Sequence, residues 1–344
     1  MKKIQIFFNF GRVLAVTPSN LNNRKRTLGQ KFYFFAIIVL YTGGAISSQI
    51  FRDYSKSTTS ELAMRLFKDF LRHSHTFYIL GPLALTKRHH WFKLFEILQK
   101  DDTLSGPDPI FFWCFLAWHC LFITIIVVWI RLCFLLLGLK LIQTHGYEYF
   151  QLYFQVFFMF FACVLLEMFR KRYEVKKIEL GQITRFWSNK SHEKFKVDIF
   201  RLALGVGTFN KIFGPMFILN VFYVSDLFLL YVNSLIKSQK SIDVYIWLVV
   251  YRIGLITFYW LHVVVIAIRA DSISQQYDEI IHLANKFFLI STKMDRKNVE
   301  DFIEFLRKNR PEINADEFFI IKRATIFTIL NFTIYFLVVV IEFQ

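Results

Sequence analysis

Long stretches without charged residues recur along the chain, and they limit its fold more than any other feature. About 20 consecutive apolar residues form a helix that can cross the hydrocarbon core of a bilayer. Uncharged runs and turn signals predict seven spans, at 32–51, 63–86, 110–138, 148–168, 207–236, 243–269 and 319–343. The second is the least apolar, since its first half carries Arg65, Lys68, Asp69, Arg72 and His73. The sequence therefore predicts an all-α, polytopic membrane protein with seven transmembrane helices.

The composition agrees with a chain surrounded by membrane lipids. Hydrophobic residues make up 55% of the 344 residues and aromatic residues 19%, well beyond an ordinary soluble domain. The net charge of +16 would suit nucleic acid only if it formed one patch, and here it is divided among the segments between spans. No nucleic-acid partner is expected.

The distribution of Lys and Arg predicts how the chain is oriented. The N-terminal segment and alternate connections, at 87–109, 169–206 and 269–323, carry 31 of these residues together, whereas the other three connections carry 5. Cationic residues accumulate on the cytosolic side of membrane proteins. We therefore expect a cytosolic N-terminus, an extracellular C-terminus and a multi-pass protein of the plasma membrane.

Helical spacing continues past two of the spans into the cytosolic segments. The fourth and sixth spans are predicted to extend inward as helices, and a further amphipathic helix is predicted to begin near Asp295 and to end before Asn309. The apolar face of this last helix carries Val299, Phe302, Ile303 and Leu306. That face either packs against the protein's own cytosolic ends or forms a contact between subunits.

Three charged residues are predicted to lie at one depth, roughly 12–15 Å below the outer surface at 1.5 Å per residue. They are Arg131, Asp226 and Arg252. Ionisable groups inside a membrane usually pair or line a wet cavity, so Asp226 is expected to pair with Arg252 or Arg131. Aromatic residues predicted near this depth are Trp129, Tyr153, Tyr223, Trp247 and Tyr251. The set forms either a ligand pocket or a purely structural salt bridge.

Enzymatic and metal-binding motifs are missing from the sequence. His73 and His75, and the adjacent His89 and His90, do not have the three- or four-residue spacing that brings ligands together on a helix. We predict no catalytic residues, no metal site and no cofactor. A secondary transporter stays open as an alternative, because Gly81-Pro82 and Gly214-Pro215 resemble the helix interruptions of transporters.

The C-terminal residues resemble those of insect gustatory receptors, in which Thr-Tyr and five apolar residues precede Gln-Phe. In this chain Tyr335-Phe336 stands at the first pair and Glu342-Phe343 at the second, with five apolar residues between them. Weaker similarities lie in the segment 7–11 and around Asn210 and 213–214.

This resemblance implies a ligand-gated cation channel with four subunits, either a homotetramer or a heterotetramer with related subunits. It implies that the last helices meet on a central axis, that cytosolic helices form the main subunit contacts, and that each subunit binds a small-molecule tastant. Pore or gate residues would be Tyr335, Val338, Val339, Glu342 and Phe343. Val338 and Val339 would form an apolar constriction and Glu342 a ring of carboxylates. Alternatively, Glu342 lies among lipid headgroups, and Tyr335 is buried against the fifth or sixth span.

Two functional units are predicted on this basis. Residues 1–270 would form a six-helix ligand-sensing bundle, and residues 271–344 the cytosolic anchor helices with the pore-lining last helix. The predicted function is that of a gustatory receptor subunit, a non-selective cation channel opened by a tastant. A metabotropic seven-span receptor is the other alternative besides a transporter.

Overall fold

The fold is a bundle of long α-helices, seen in a computed structural model. The structure describes residues 9–14, 17, 27–52, 58–99, 109–137, 140–183, 189–236, 242–290 and 293–342. Within these ranges the helices are α1 (Leu28–Ile50), α2 (Thr59–Tyr78), α3 (Arg88–Gln99), α4 (Pro109–Leu137), α5 (Lys140–Ile183), α6 (Asn189–Ile236), α7 (Ile242–Ile290), α8 (Lys293–Lys308) and α9 (Arg323–Glu342). Residues 9–13 form a further short helical turn. Each of the seven predicted spans coincides largely with a helix, which confirms the all-α fold class.

Side-chain caps and a proline fix the ends of the first two helices. Thr27 accepts a hydrogen bond from the backbone N–H of Gln30, whose side chain bonds back to Thr27 in a capping box. Thr58 caps the start of α2 in the same way by accepting from the N–H of Glu61. The helix then passes into a π-helical turn, Ile79–Leu83, that contains Pro82. Proline has no N–H to donate, so the regular α-helical pattern cannot continue through this position.

Five helices contain a stretch long and apolar enough to cross a membrane, within the part of the chain that the structure describes. These stretches are Leu28–Ile50, Trp113–Arg131, Gly146–Gln182, His192–Asn233 and Val249–Ile290. The apolar stretch of α9 is shorter, and α2 carries charged residues in its first half. Helices α5, α6 and α7 have 44, 48 and 49 residues and so are about 66–74 Å long at 1.5 Å per residue. The predicted continuation of the fourth and sixth spans as helices is confirmed.

Helix α5 lies at the centre of the bundle and makes its most extensive contact with α7. Its apolar stretch is 94% buried, against 6% for that of α4. This difference identifies α5 as a core helix and α4 as a peripheral one whose apolar surface faces outward. The predicted boundary between residues 270 and 271 falls within α7, and the division into two units stays a prediction.

Helix α8 packs against the N-terminal part of α6 and the C-terminal part of α7. Its four predicted apolar residues are all buried, and the Tyr277 hydroxyl donates to the carbonyl of Leu306 over 2.7 Å. The apolar face of α8 therefore packs within its own chain, which confirms the first of the two predicted alternatives.

Candidate ligand-binding and pore sites

Four of the predicted ligand residues lie together in an aromatic cluster. Trp129 of α4, Tyr153 of α5, Tyr223 of α6 and Tyr251 of α7 belong to one apolar group, which also contains Tyr259. The rings of Trp129 and Tyr251 stack with centroids 4.1 Å apart and an angle of 18°. The rings of Tyr223 and Tyr259 meet edge to face at 5.3 Å. Four separate helices therefore contribute aromatic residues to this group, which we call the aromatic cluster.

The polar side of the aromatic cluster includes a histidine that the sequence did not single out. His119 Nε2 lies 2.9 Å from the hydroxyl of Tyr153, and its Nδ1 lies 2.8 Å from the carbonyl of Phe115. Phe10, from the short turn near the N-terminus, contacts both His119 and Tyr153 edge to face. Phe10 and its short helical turn thus lie against the same helices, rather than apart from the bundle.

The deep charges are arranged differently from the predicted pair. Asp226 is 4% exposed and its Oδ2 has no hydrogen-bond partner among the described residues. It forms no recorded ion pair with Arg252 or Arg131 in that part of the chain; Lys68 is the cation that acts on it electrostatically. Arg252 instead lies over the ring of Tyr231 at 5.3 Å. Arg131 and Trp247 are exposed on the helix surface, away from the aromatic cluster.

Two of the charges that made the second span look unlike a membrane helix do form ion pairs. Asp69 and Arg72 of α2 bond to each other at 2.7 Å, and Arg72 reaches Glu148 of α5 at 2.8 Å. Arg52, just after α1, contacts both carboxylates. We call these four residues the ion cluster. Two cations and two anions balance, which allows the group to be buried between three helices.

The ion cluster adjoins the aromatic cluster. Leu71 of α2 belongs to the aromatic cluster, and Arg72 acts electrostatically on Tyr223 and Tyr259. Between the same two helices, α2 and α5, the Gln151 amide donates to the Thr76 hydroxyl over 3.3 Å and lies 3.2 Å from His73 Nδ1. The sequence signal for this group was present, since charges inside an apolar stretch mark buried partners, but the partners in α1 and α5 are distant in the chain.

The predicted pore residues lie on an open face of α9. Thr333 is buried, and its hydroxyl lies 2.9 Å from that of Ser225 in α6, so this side of α9 packs on the bundle. Tyr335 is 69% exposed and Val338 47% exposed, and Glu342 is exposed as well. Val339 is half-buried. Burial of Tyr335 against the bundle, the predicted alternative, is therefore wrong. Phe343 lies outside the described residues.

A small hairpin before α9 is fastened to α6. Its arms are joined by the N–H of Ile321 donating to Ile313 O over 2.8 Å, and its tip has positive φ at Asp316 and Glu317. The Asn210 amide of α6 donates to Glu312 O over 2.7 Å and accepts from the N–H of Asn314 over 3.2 Å. We call residues 311–322 the pre-pore hairpin.

Close approach of the pre-pore hairpin explains the glycine that follows Phe213 in the sequence. A Cβ at Gly214 would lie 2.3 Å from the backbone nitrogen of Asp316. On the neighbouring helix, the Tyr78 hydroxyl donates to the carbonyls of Lys211 and Ile212, each over 3.1 Å. The same stretch of α6 therefore contacts both the end of α2 and the pre-pore hairpin.

Comparison with known proteins places these features in a family. Residues 4–344 match the family model described as 7tm chemosensory receptor. No curated protein matches the chain by sequence. Among solved structures, the chain is similar to the insect olfactory receptor OR5 from Machilis hrabei, with a TM-score of 0.71, 12% identity, and coverage of 100% of this chain and 98% of that chain. The same receptor in complex with eugenol gives a TM-score of 0.72 at the same identity and coverage.

Proposed function

Since the chain belongs to the 7tm chemosensory receptor family, we propose that it is a gustatory receptor subunit that forms a ligand-gated, non-selective cation channel. The observation that carries the proposal is the open face of α9, where Tyr335, Val338 and Glu342 follow one another at three- and four-residue steps and are all exposed. A carboxylate exposed to the hydrocarbon of the bilayer would be costly, and the tyrosine hydroxyl adds a second polar group along the same helix. Such a face suits a helix that lines an aqueous path with copies of itself.

Four subunits would bring four copies of this face to a common axis. Glu342 carboxylates would then attract cations at one end of the path, while Val338 and Val339 narrow it with apolar side chains and close it by dewetting. Large apolar side chains that are exposed in the single chain support assembly: Leu289 and Ile290, at the C-terminal end of α7, and Phe318, of the pre-pore hairpin, are 74–78% exposed. We propose that these side chains contact neighbouring subunits.

The aromatic cluster is the proposed site for the tastant. It offers stacking walls, a buried carboxylate at Asp226 and a histidine at His119, so a small molecule with an aromatic or apolar body and a polar group would fit its chemistry. The similar olfactory receptor was solved with eugenol, which is consistent with a small organic ligand. Sugars, bitter compounds and carbon dioxide are the classes to test.

The proposed orientation places the aromatic and ion clusters in the outer half of the plasma membrane, with the N-terminus in the cytosol. An epitope fused after Gln344 should bind antibody on intact cells. Binding only after permeabilisation would overturn the orientation, and the outward-facing pocket with it.

Recording of current from cells that express the chain tests the channel. A tastant that opens a cation current without being taken up supports the channel. Uptake without current would indicate a transporter, and a response that requires G proteins would indicate a metabotropic receptor. Glu342→Gln should lower cation conductance at an unchanged half-maximal tastant concentration. An unchanged conductance would remove Glu342 from the pore.

Paired variants test the pocket in the same cells. Trp129→Ala removes a stacking wall of the aromatic cluster and should raise the half-maximal tastant concentration at least tenfold, and Asp226→Asn should also raise it. Trp247→Ala makes the same kind of change on the exposed surface of α7 and should leave it within about twofold. Equal effects of the two tryptophan changes, or an unaltered response in Asp226→Asn at normal surface delivery, would reject the aromatic cluster as the pocket.

A further inference from the structure

We propose that a second site, separate from the aromatic cluster, binds a neutral amphiphile with an apolar body and one hydroxyl or amide group. The site is a cleft between α5, α6, α7 and the start of α9, and its volume of about 340 Å³ includes space that is open to the surroundings. Its walls include Met159, Val263 and Ile329, and Asn220 of α6 is its polar group. None of the predicted tastant residues lines it. We call it the α9 cleft.

Asn220 is the observation that points to a ligand. Its side chain is 1% exposed, and neither Nδ2 nor Oδ1 has a hydrogen-bond partner among the residues that the structure describes. A buried amide without partners is costly, and native proteins rarely keep one unless something else satisfies it. The amide can both donate and accept, so a hydroxyl or an amide would satisfy it better than a group that only accepts.

The remainder of the α9 cleft favours an amphiphile over a water molecule. Apart from Asn220, the lining is apolar except for Thr325, whose hydroxyl already donates to Ile320 O over 3.0 Å and accepts from the N–H of Lys322 over 3.1 Å. A buried water needs two to four polar partners, and this cleft has one side chain to offer. An occupant that covers the apolar walls and brings its own polar group matches the lining. An ionised group would have no counter-charge there.

An occupant of the α9 cleft would contact α9, the proposed pore helix, directly. Thr325, Ile326 and Ile329 of α9 form one wall, and Ile321 of the pre-pore hairpin contributes to it. One turn beyond Ile329, Thr333 makes the contact with Ser225 that holds α9 on the bundle. An amphiphile in the cleft would therefore change how α9 packs. This effect on gating rests on the proposed channel function, whereas binding does not.

Photolabelling of the purified full-length protein tests the site without any current. The protein is placed in phosphatidylcholine nanodiscs with a diazirine-bearing octanol, and a diazirine-bearing octane serves as the probe that lacks the hydroxyl. Labelled residues, mapped by mass spectrometry, should concentrate at Met159, Val263 and Ile326. Val263→Phe fills the cleft and should reduce labelling there at least tenfold. Val264→Phe makes the same change one residue on, outside the lining, and should leave labelling unchanged.

The polar contact has its own test. Asn220→Leu should weaken competition by unlabelled octanol about tenfold, as expected for a lost hydrogen bond, and should leave octane binding equal or tighter. Because replacing an unpartnered buried amide by leucine removes its cost, this variant should stay folded, which is checked by its melting temperature. Equal loss of both probes, or no loss of octanol, would overturn the role of Asn220.

Two sources could supply the amphiphile, and the experiment separates them. A hydroxyl-bearing lipid that co-purifies with wild type and is depleted in Val263→Phe identifies the bilayer as the source. Labelling by added octanol without any such lipid identifies the solution. Labelling scattered over the surface, or equal in Val263→Phe and Val264→Phe, would reject the site. Cleft labelling in a protein that conducts no current would reject the proposed channel and leave the site standing.

Discussion

The contact between Gly214 and the pre-pore hairpin yields a prediction whose size follows from the geometry. In Gly214→Ala the new Cβ would lie 2.3 Å from Asp316 N and 2.9 Å from its Cα, whereas ordinary contact begins at 3.4 Å. The hairpin must therefore withdraw by about 1 Å. It cannot do so freely, because the bonds of 2.7 and 3.2 Å from Asn210 hold it on α6. We expect a loss of about 1–3 kcal/mol from overpacking, and about 1 kcal/mol more for each hydrogen bond that breaks.

Gly207→Ala is the matched control in the same helix. Nothing lies within 4 Å of a Cβ at Gly207, so this change should only raise helix propensity and stabilise by about 0.5–1 kcal/mol. Melting of both variants in one detergent, followed by size-exclusion chromatography, measures the difference. Gly214→Ala should melt below wild type and Gly207→Ala at or above it. If the two variants melt together at or above wild type, the hairpin does not rest on Gly214 and the reasoning is refuted.

Three further changes can be measured in the same melting assay. Asn210→Asp replaces the amide donor by an oxygen that faces a main-chain carbonyl, and should cost about 1–3 kcal/mol; a wild-type melting curve would contradict the clamp on the hairpin. Asp69→Asn leaves the two buried arginines, Arg52 and Arg72, with Glu148 as the one carboxylate of the ion cluster and should cost about 3–5 kcal/mol. Glu279→Gln, in an exposed pair, should cost under about 1 kcal/mol; equal losses would show that the ion cluster is solvated. Burial, with cations nearby, lowers the pKa of His90 to about 4, so protonation of this histidine favours the unfolded chain. The free energy of unfolding should therefore fall from pH 7 to pH 5 more in wild type than in His90→Asn. Parallel pH curves for the two proteins would contradict this.

Features that repeat along one helix were predictable from the sequence. The seven spans follow from uncharged runs, and the buried face of α8 follows from the spacing of Val299, Phe302, Ile303 and Leu306, because a helix fixes which residues share a side. The gathering of Trp129, Tyr153, Tyr223 and Tyr251 followed from depth alone. Depth is set by counting residues from the end of a span, so residues of different helices can be placed at one level.

Pairing between helices was not predictable in the same way. Depth placed Asp226 level with Arg252 and Arg131, but the direction in which each helix faces decides contact, and Arg131 faces outward while Arg252 covers Tyr231. From the sequence alone, the charges of α2 appeared unsuited to a membrane span, because their partners, Arg52 and Glu148, come from other parts of the chain. The sequence likewise offered no means to see that Gly214 meets Asp316, about a hundred residues away.

The length of α6 has a mechanical consequence. Its 48 residues form one rod of about 72 Å, more than twice the thickness of a bilayer core of about 30 Å. A tilt of about 5° pivoting at one tip would sweep the opposite tip sideways by about 6 Å, without breaking any helical hydrogen bond beyond the one that Pro215 already lacks. Rearrangement on one side of the membrane can thus be amplified on the other by leverage alone, without any helix having to melt.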